Sequence, residues 1–439
     1  MIRIESKRNK FTYNIYHIVK AFYPGEDVEQ KVDGQQESLV TLYMPGDSSF
    51  SVFSEEIGLP SVEDPDEQRL QEEKWAVTRR VYQYLAEVNG GGLAWGILTG
   101  VRPTKLIMQK IEAGIGREEI LRSFQEEDFV SPEKAELAYE IACREHELLS
   151  RLDCAEGFSL YVGIPFCPSV CSYCSFSSSP IDQWRDRVDG YLDALVKEIR
   201  ALGKMAAGRK PDTVYIGGGT PTTLEPEQLD RLLSTITECF DISRALEFTI
   251  EAGRPDSITE EKLRVIRKYP VTRISVNPQT MQQKTLDLVG RRHTVKDVVN
   301  AFQMARKMGF DNINMDLIAG LPGENAEDMR DTLSSVQDLG PDSLTVHALA
   351  IKRAAKFGQE GRTAELHSEI SQMVEEASRC ARSMSLQPYY LYRQKNIAGN
   401  FENVGYAEVD KAGIYNILIM EEKQTILAAG AGASTKILL

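Results

Sequence analysis

The sequence predicts an α/β protein: a series of strand–helix units with parallel pairing, preceded by a small mixed domain. Six short runs rich in β-branched and aromatic residues lie at 158–164, 213–216, 246–250, 272–276, 312–318 and 343–349. Between them, at 184–205, 226–239, 259–268, 281–289, 295–308 and 325–338, the apolar spacing is helical. The strand runs lack strict alternation, as strands buried on both faces do. A chain of 439 residues is also too long for one small core. Six such units with right-handed crossovers build either an open doubly wound sheet or an incomplete barrel, and composition does not separate the two.

In chain order, residues 2–5 and 11–20 hold alternating or β-rich pieces, and SLVTLYM at 38–44 adds another. These predict a small domain with a few strands. Between Glu55 and Glu73 runs an acidic loop with Pro60 and Pro65, leading into a helix whose apolar spacing is clear from Trp75 to Val88. Gly90, Gly91 and Gly92 read as a helix terminator or an anion-binding nest. Arg102 and Lys105 flank Pro103, which suits a first helical turn. Helices are predicted over 104–113, 117–124 and 132–152, and the pattern turns from helix to strand near 153–157. The domain boundaries that follow are 1–153, 154–362 and 363–439. Beyond 350 come a helix at 364–384, a strand or loop near 389–395, and then IYNILIM and QTILAAGAGAST.

A formal charge of −14 argues against a nonspecific nucleic-acid binder. No signal-length apolar segment opens the chain and no apolar run reaches spanning length, so a cytoplasmic protein without stable membrane insertion is expected. Cys143, Cys154, Cys239 and Cys380 are scattered, as thiols kept reduced would be.

The chemistry concentrates after the first strand of the series. YVGIPFCPSVCSYCSF, 161–176, holds Cys167, Cys171 and Cys174 as C-x3-C-x2-C. Three thiolates so close can wrap one soft centre: an iron–sulfur cluster, zinc or copper(I). Structural zinc and electron-transfer clusters usually take four protein ligands; three on a four-iron cube leave one iron open. IGGGTPT, 216–222, follows a strand directly and offers exposed backbone, either as a tight turn or as a ligand loop. Glu251 ends the strand LEFTIE, where a carboxylate can accept bonds from ribose-type hydroxyls. Asp316 is an acid in an apolar strand, and a buried carboxylate needs a partner or a ligand. Gln279 and Arg291 lie on one βα connection. All fall near the C-terminal ends of strands, the edge where α/β folds bind ligands.

With these residues in place, the chain resembles the radical S-adenosylmethionine (SAM) enzymes. Within them it is similar to the oxygen-independent coproporphyrinogen III oxidase (coproporphyrinogen dehydrogenase) group and its sister, the heme chaperone. The carriers are YVGIPFCPSVCSYCSF, YIGGGTPT, FTIEAGRPDSIT, RISVNPQT, LVGRRHT and NMDLIAGLPGE, in family order over about 160–325. LAWGILTGVRPTK resembles the N-terminal part of the longer, HemZ-like variant of Gram-positive bacteria.

The resemblance implies a partial (β/α)6 radical SAM barrel behind the small N-terminal domain. Cys167, Cys171 and Cys174 would hold a [4Fe-4S] cluster whose fourth iron takes the methionine end of SAM. Gly218, Gly219 and Thr220 would anchor that end. Glu251 would meet the ribose, and Gln279, Arg291 and Asp316 would line the pocket. Tyr161 would lie near the cluster, and Phe176 would pack against cluster or SAM. The implied reaction starts with a 5′-deoxyadenosyl radical and turns two propionates of coproporphyrinogen III into vinyl groups, giving protoporphyrinogen IX. It needs an electron donor such as flavodoxin or ferredoxin. Arg102, Lys352 and Arg353 are candidates to meet the anionic porphyrinogen. Two positions depart from the oxidase pattern: Gly163 stands where a histidine is usual, and Phe176 matches the chaperone branch, whose ligand would be heme. The family tends to continue past 439 with a helical domain, so the resemblance implies an incomplete C-terminal extension.

Overall fold

The computed structural model describes residues 1–46, 48–59, 66–100, 102–350, 355–360, 367–393 and 401–438. The chain forms two compact units, residues 1–140 with 392–402, and residues 141–391 with 403–439.

In the first unit, β1 (Ile2–Ser6), α1 (Asn9–Phe22), β2 (Val28–Val32), β3 (Val40–Tyr43) and β4 (Ser49–Val52) precede the long α2 (Glu67–Val88). The strands form a sheet in the order β2-β1-β3-β4. One β-rich expectation is corrected: 11–20 is helix. Its β-branched and aromatic content favours a strand, but Phe11, Ile15, Ile18 and Val19 fall on one helical face and are buried. Burial of that stripe overrides the weaker intrinsic preference. The stripe packs in one cluster with Ile2, Ile4 and Leu42 of the sheet and Val77, Val81 and Leu85 of α2. Three further helices follow, α3 (Thr104–Glu112), α4 (Arg117–Glu126) and α5 (Pro132–Ser150).

The second unit is built on one sheet of nine strands. Its repeats run β5 (Phe158–Ile164), a short β6 (Phe166–Cys167) pairing β7 (Ser179–Pro180), α6 (Val188–Met205), β8 (Pro211–Gly218), α7 (Pro226–Cys239) and β9 (Glu247–Glu251). They continue with α8 (Glu260–Ile266), β10 (Arg273–Ser275), α9 (Gln283–Leu288), α10 (Val295–Lys307), β11 (Ile313–Ala319), α11 (Ala326–Leu339) and β12 (Ser343–Ala348). Next come α12 (Lys356–Gln359), α13 (His367–Ser383), β13 (Gln387–Arg393), β14 (Glu402–Ala407), α14 (Ile414–Glu421) and β15 (Thr425–Ala429).

The helices start and stop where local chemistry says they should. Thr294 caps α10 in a box with Asp297, and Asn325 caps α11 in a box with Asp328. Gly340, at φ 66°, ends α11 in the left-handed conformation. Leu229, Leu232, Leu233 and Ile236 form the buried stripe of α7.

The strand order is β13-β14-β12-β11-β10-β9-β8-β5-β15. The six predicted strands therefore lie side by side in sequence order, each parallel to the next. A doubly wound sheet reverses its order at a switch point. None occurs here, so the array winds one way, as in a partial barrel. β15 extends it in parallel beside β5, and β14 pairs antiparallel with β12. Because these seven parallel strands point one way, all their C-terminal ends meet at one rim. Among the described residues, no helix is long and apolar enough to cross a membrane.

Candidate active site

The three cysteines leave the rim directly after β5. Cys167 lies in β6, Cys171 is buried (8% exposed), and the Cys174 amide closes a turn on the Cys171 carbonyl at 3.0 Å. The loop is tied to the chain end of α9: the Ser172 amide donates to the Val289 carbonyl at 3.0 Å and the Ser169 hydroxyl to Gly290 at 2.8 Å. Burial pushes the Cys167 thiol up and the Cys174 thiol to about 11. Without metal these thiols keep their protons at neutral pH, and a metal centre would have to displace them.

Donors converge on this sulfur. Thr220 Oγ1 donates to Cys167 Sγ at 3.5 Å. Arg254 Nη1 and Arg291 Nη1 reach Cys171 Sγ at 3.7 and 3.8 Å, and both arginines are 3% exposed. Arg254 is already paired with Asp256, so its N–H and that of Arg291 offer this sulfur donors that a thiolate would accept more strongly than a thiol. Among the described residues, no three His, Cys, Asp or Glu side chains close on a single-ion site. A single zinc needs its ligands within about 2.3 Å of one point. A cube carries each thiolate on a separate corner, and three thiols within eight residues supply three such corners.

The glycine loop sits against the same stretch. Gly219 N–H donates to Ile164 O and Thr220 N–H to Phe166 O, both at 2.7 Å. Gly218, at φ 106°, adopts a backbone that side chains rarely take, and a Cβ there would crowd Ile164 O at 3.1 Å. Glu251 receives the Tyr215 hydroxyl, and burial raises its pKa to about 7 despite that bond. Tyr161, Tyr215 and Tyr415 stack beneath it, with Tyr215 and Tyr415 centroids 4.5 Å apart. Asp316 behaves oppositely. Burial alone would raise it, but His347, Asn314 and Arg273 outweigh burial and hold its carboxyl low.

Gln279 occupies the left-handed region at φ 68°, where a non-glycine residue costs about 1–3 kcal/mol. Its backbone bonds to Asp316 and Ile318 hold it there, and its buried Oε1 has no partner. Arg291 bonds the Gly253 and Asn277 carbonyls at 3.0 and 2.5 Å.

Tyr161, Cys167, Cys171, Cys174, Gly218, Gly219, Thr220, Glu251, Gln279, Arg291 and Asp316 thus gather at one rim. Phe176, two residues after Cys174, carries an exposed ring (74%), and the Ser178 amide bonds its carbonyl at 2.8 Å. Lys352 and Arg353 lie outside the described residues, and Arg102 belongs to the first unit. Arg254 and Tyr415 were not singled out from the sequence. A buried arginine reads like any solvated one, and Tyr415 comes from a helix remote in the chain.

Glu251 gives a stability prediction. Its folded pKa stands above the unfolded value, so its contribution is full below about pH 4.5 and fades as pH rises through 7. Cofactor-free Glu251→Gln should exceed the parent by about 1–3 kcal/mol at about pH 8 in urea unfolding. At about pH 5 the two should converge. A pH-independent difference contradicts this.

The geometry defines a class: a parallel βα array presenting three clustered cysteines beside a glycine loop, a strand-end glutamate and an aspartate within β11. The description "Radical SAM superfamily" matches residues 161–336. The oxygen-independent coproporphyrinogen-III oxidase-like protein HemZ of Bacillus subtilis is 43% identical over 78% of this chain and 70% of its own length. The heme chaperone HemW of the same organism is 36% identical over 48% of this chain and 55% of its own. The solved structure of coproporphyrinogen III oxidase (HemN) from Escherichia coli, a radical SAM enzyme, superposes with a TM-score of 0.54 at 25% identity. It covers 66% of this chain and 68% of that one. The chain belongs to the radical SAM superfamily, in the oxygen-independent coproporphyrinogen-III oxidase-like family. Its cofactors are a [4Fe-4S] cluster and SAM.

Proposed function

We propose that this chain is a cytoplasmic radical SAM coproporphyrinogen III dehydrogenase, converting two propionates to vinyl groups without oxygen to give protoporphyrinogen IX. The carrying observation is the 43% identity with the Bacillus subtilis oxidase-like protein over 78% of this chain. When bound, cluster and SAM supply one-electron cleavage of a sulfonium bond and hydrogen abstraction from the substrate. Cys167, Cys171 and Cys174 hold three irons. Gly218, Gly219 and Thr220 present backbone to the methionine end of SAM. Glu251 accepts from the ribose, while Gln279, Arg291 and Asp316 orient the rest. Tyr161, Tyr215 and Tyr415 fill the interior beneath and keep water from the reacting atoms. The substrate's carboxylates call for basic residues; Arg102, Lys352 and Arg353 are our candidates, and a flavodoxin or ferredoxin is the donor.

A second reading, a heme chaperone, is favoured by Phe176, which stands two residues after Cys174 as in the chaperone branch, while a further position departs from the oxidases. Gly163 replaces the oxidase histidine, and a Cβ there would lie 3.2 Å from the Ala431 carbonyl. The turn after β15 covers this position, and Tyr191 bonds Gly163 O at 2.6 Å.

Anaerobic incubation of the reconstituted, reduced protein with SAM and coproporphyrinogen III separates the two. Protoporphyrinogen formed alongside methionine and 5′-deoxyadenosine supports the dehydrogenase. The porphyrinogen left unconsumed, with stoichiometric retention of heme supplied in a parallel incubation, supports the chaperone.

A further inference from the structure

Arg254 stands three residues beyond Glu251, where the chain leaves β9. Its guanidinium is locked by a fork on Asp256, with Nε to Oδ1 at 2.9 Å and Nη2 to Oδ2 at 2.8 Å. The far side grips the cysteine loop. Nη1 donates to the Ser169 carbonyl at 2.9 Å, and Nη2 meets the Ser169 hydroxyl at 3.1 Å. Ser169 lies between the first two cysteines, so this grip leaves Nη1 facing Cys171 Sγ at 3.7 Å. His293 backs Asp256, its Nδ1 3.6 Å from Oδ1. The fork, the loop carbonyl and the sulfur fix the group from three sides, and it is 3% exposed.

We propose that Arg254 is a positioning residue that sets the reduction potential of the cluster held by Cys167, Cys171 and Cys174. The proposal rests on that cluster assignment. Reduction moves one electron from an external donor onto the cluster, with no bond broken and no proton moved. The reduced centre carries one more negative charge. A buried cation with an N–H toward ligand sulfur stabilises that state over the oxidised one and raises the potential. Asp256 tempers the effect, because its carboxylate offsets the Arg254 charge from the far side. Sulfur-directed donation and an ion pair therefore act in opposition on one centre.

The opposition supplies the test. Arg254→Gln removes the charge and should lower the midpoint of the reconstituted holoprotein. The expected shift is about tenfold in the one-electron equilibrium, or about 59 mV. Asp256→Asn unmasks the guanidinium and should raise the midpoint. Arg254→Lys keeps the charge without the fork and should fall between parent and Arg254→Gln. Midpoints are read by anaerobic EPR potentiometry, with iron and sulfide content measured on each sample. Opposite shifts at full iron content support the proposal. Shifts in the same direction, or none, overturn it and leave Arg254 as a loop strut. If Arg254→Gln cannot retain iron, Asp256→Asn decides alone: a higher midpoint supports the proposal, an equal or lower one overturns it. An iron-free parent overturns the cluster assignment as well, which separates the two failures.

Discussion

Replacing Cys171 with serine is expected to cost the protein its iron and its SAM cleavage together. Loss of a residue that merely supports a metal ligand weakens a centre by about 10–100-fold. Loss of a ligand itself should exceed a hundredfold. Serine is a hard oxygen ligand where the centre wants soft sulfur. Cys171 is also the sulfur on which Arg254 and Arg291 converge, so its removal takes away the acceptor that both guanidinium groups face. The fold should survive, since the substitution is small and the loop keeps its bonds to Val289 and Gly290. Iron and sulfide assays with chromatographic detection of methionine and 5′-deoxyadenosine check the result. Cys239→Ser, at the end of α7, is the control and should match the parent in both. Equal iron and equal turnover in Cys171→Ser would contradict the account.

Gly219→Ala is the second large effect. An added Cβ would lie 2.5 Å from the Phe166 carbonyl oxygen and 3.0 Å from that of Ile164. Both are backbone atoms of the stretch that delivers Cys167, and the Gly219 amide is itself bonded to Ile164 O. The clash cannot be relieved by turning a side chain; one strand end has to move. Overpacking of this kind costs about 1–3 kcal/mol. Expressed in SAM affinity, that is roughly 5–150-fold. Gly190→Ala, inside α6 with open space around its Cα, should instead be neutral or stabilising by up to about 1 kcal/mol. Anaerobic calorimetry of SAM binding and thermal unfolding distinguish the two. Parent-like affinity in Gly219→Ala would show that the rim does not hold SAM there.

The strand series was legible because each strand is a short, doubly buried apolar run between amphipathic helices. The bounds of α7, 226–239, coincide with the residues read from spacing. Parallel pairing was legible, but the order of the strands in the sheet was not. Local pattern does not say whether β8 sits beside β5 or across a switch point, since pairing is settled by packing between distant segments. The same limit hid β15, whose residues 425–429 pair with 158–162. It also hid Tyr415, which completes the tyrosine stack from α14. The cysteine spacing, the glycine loop and the strand-end acids were legible because their residue types are unusual in those places. Arg254 was not, because its meaning lies in the 3.7 Å to Cys171, which no spacing encodes. Residues 11–20 misled for the opposite reason: their β-branched composition was visible, while the α1 face they bury against the sheet was not.

Everything rests on a cluster bound by three protein thiolates and open to SAM at one iron. EPR spectra of the anaerobically reconstituted, reduced protein, with and without SAM, test this most directly. The account predicts about four irons and four sulfides per chain and a spectrum that changes on addition of SAM. A cluster spectrum indifferent to SAM, or zinc in place of iron, would contradict it.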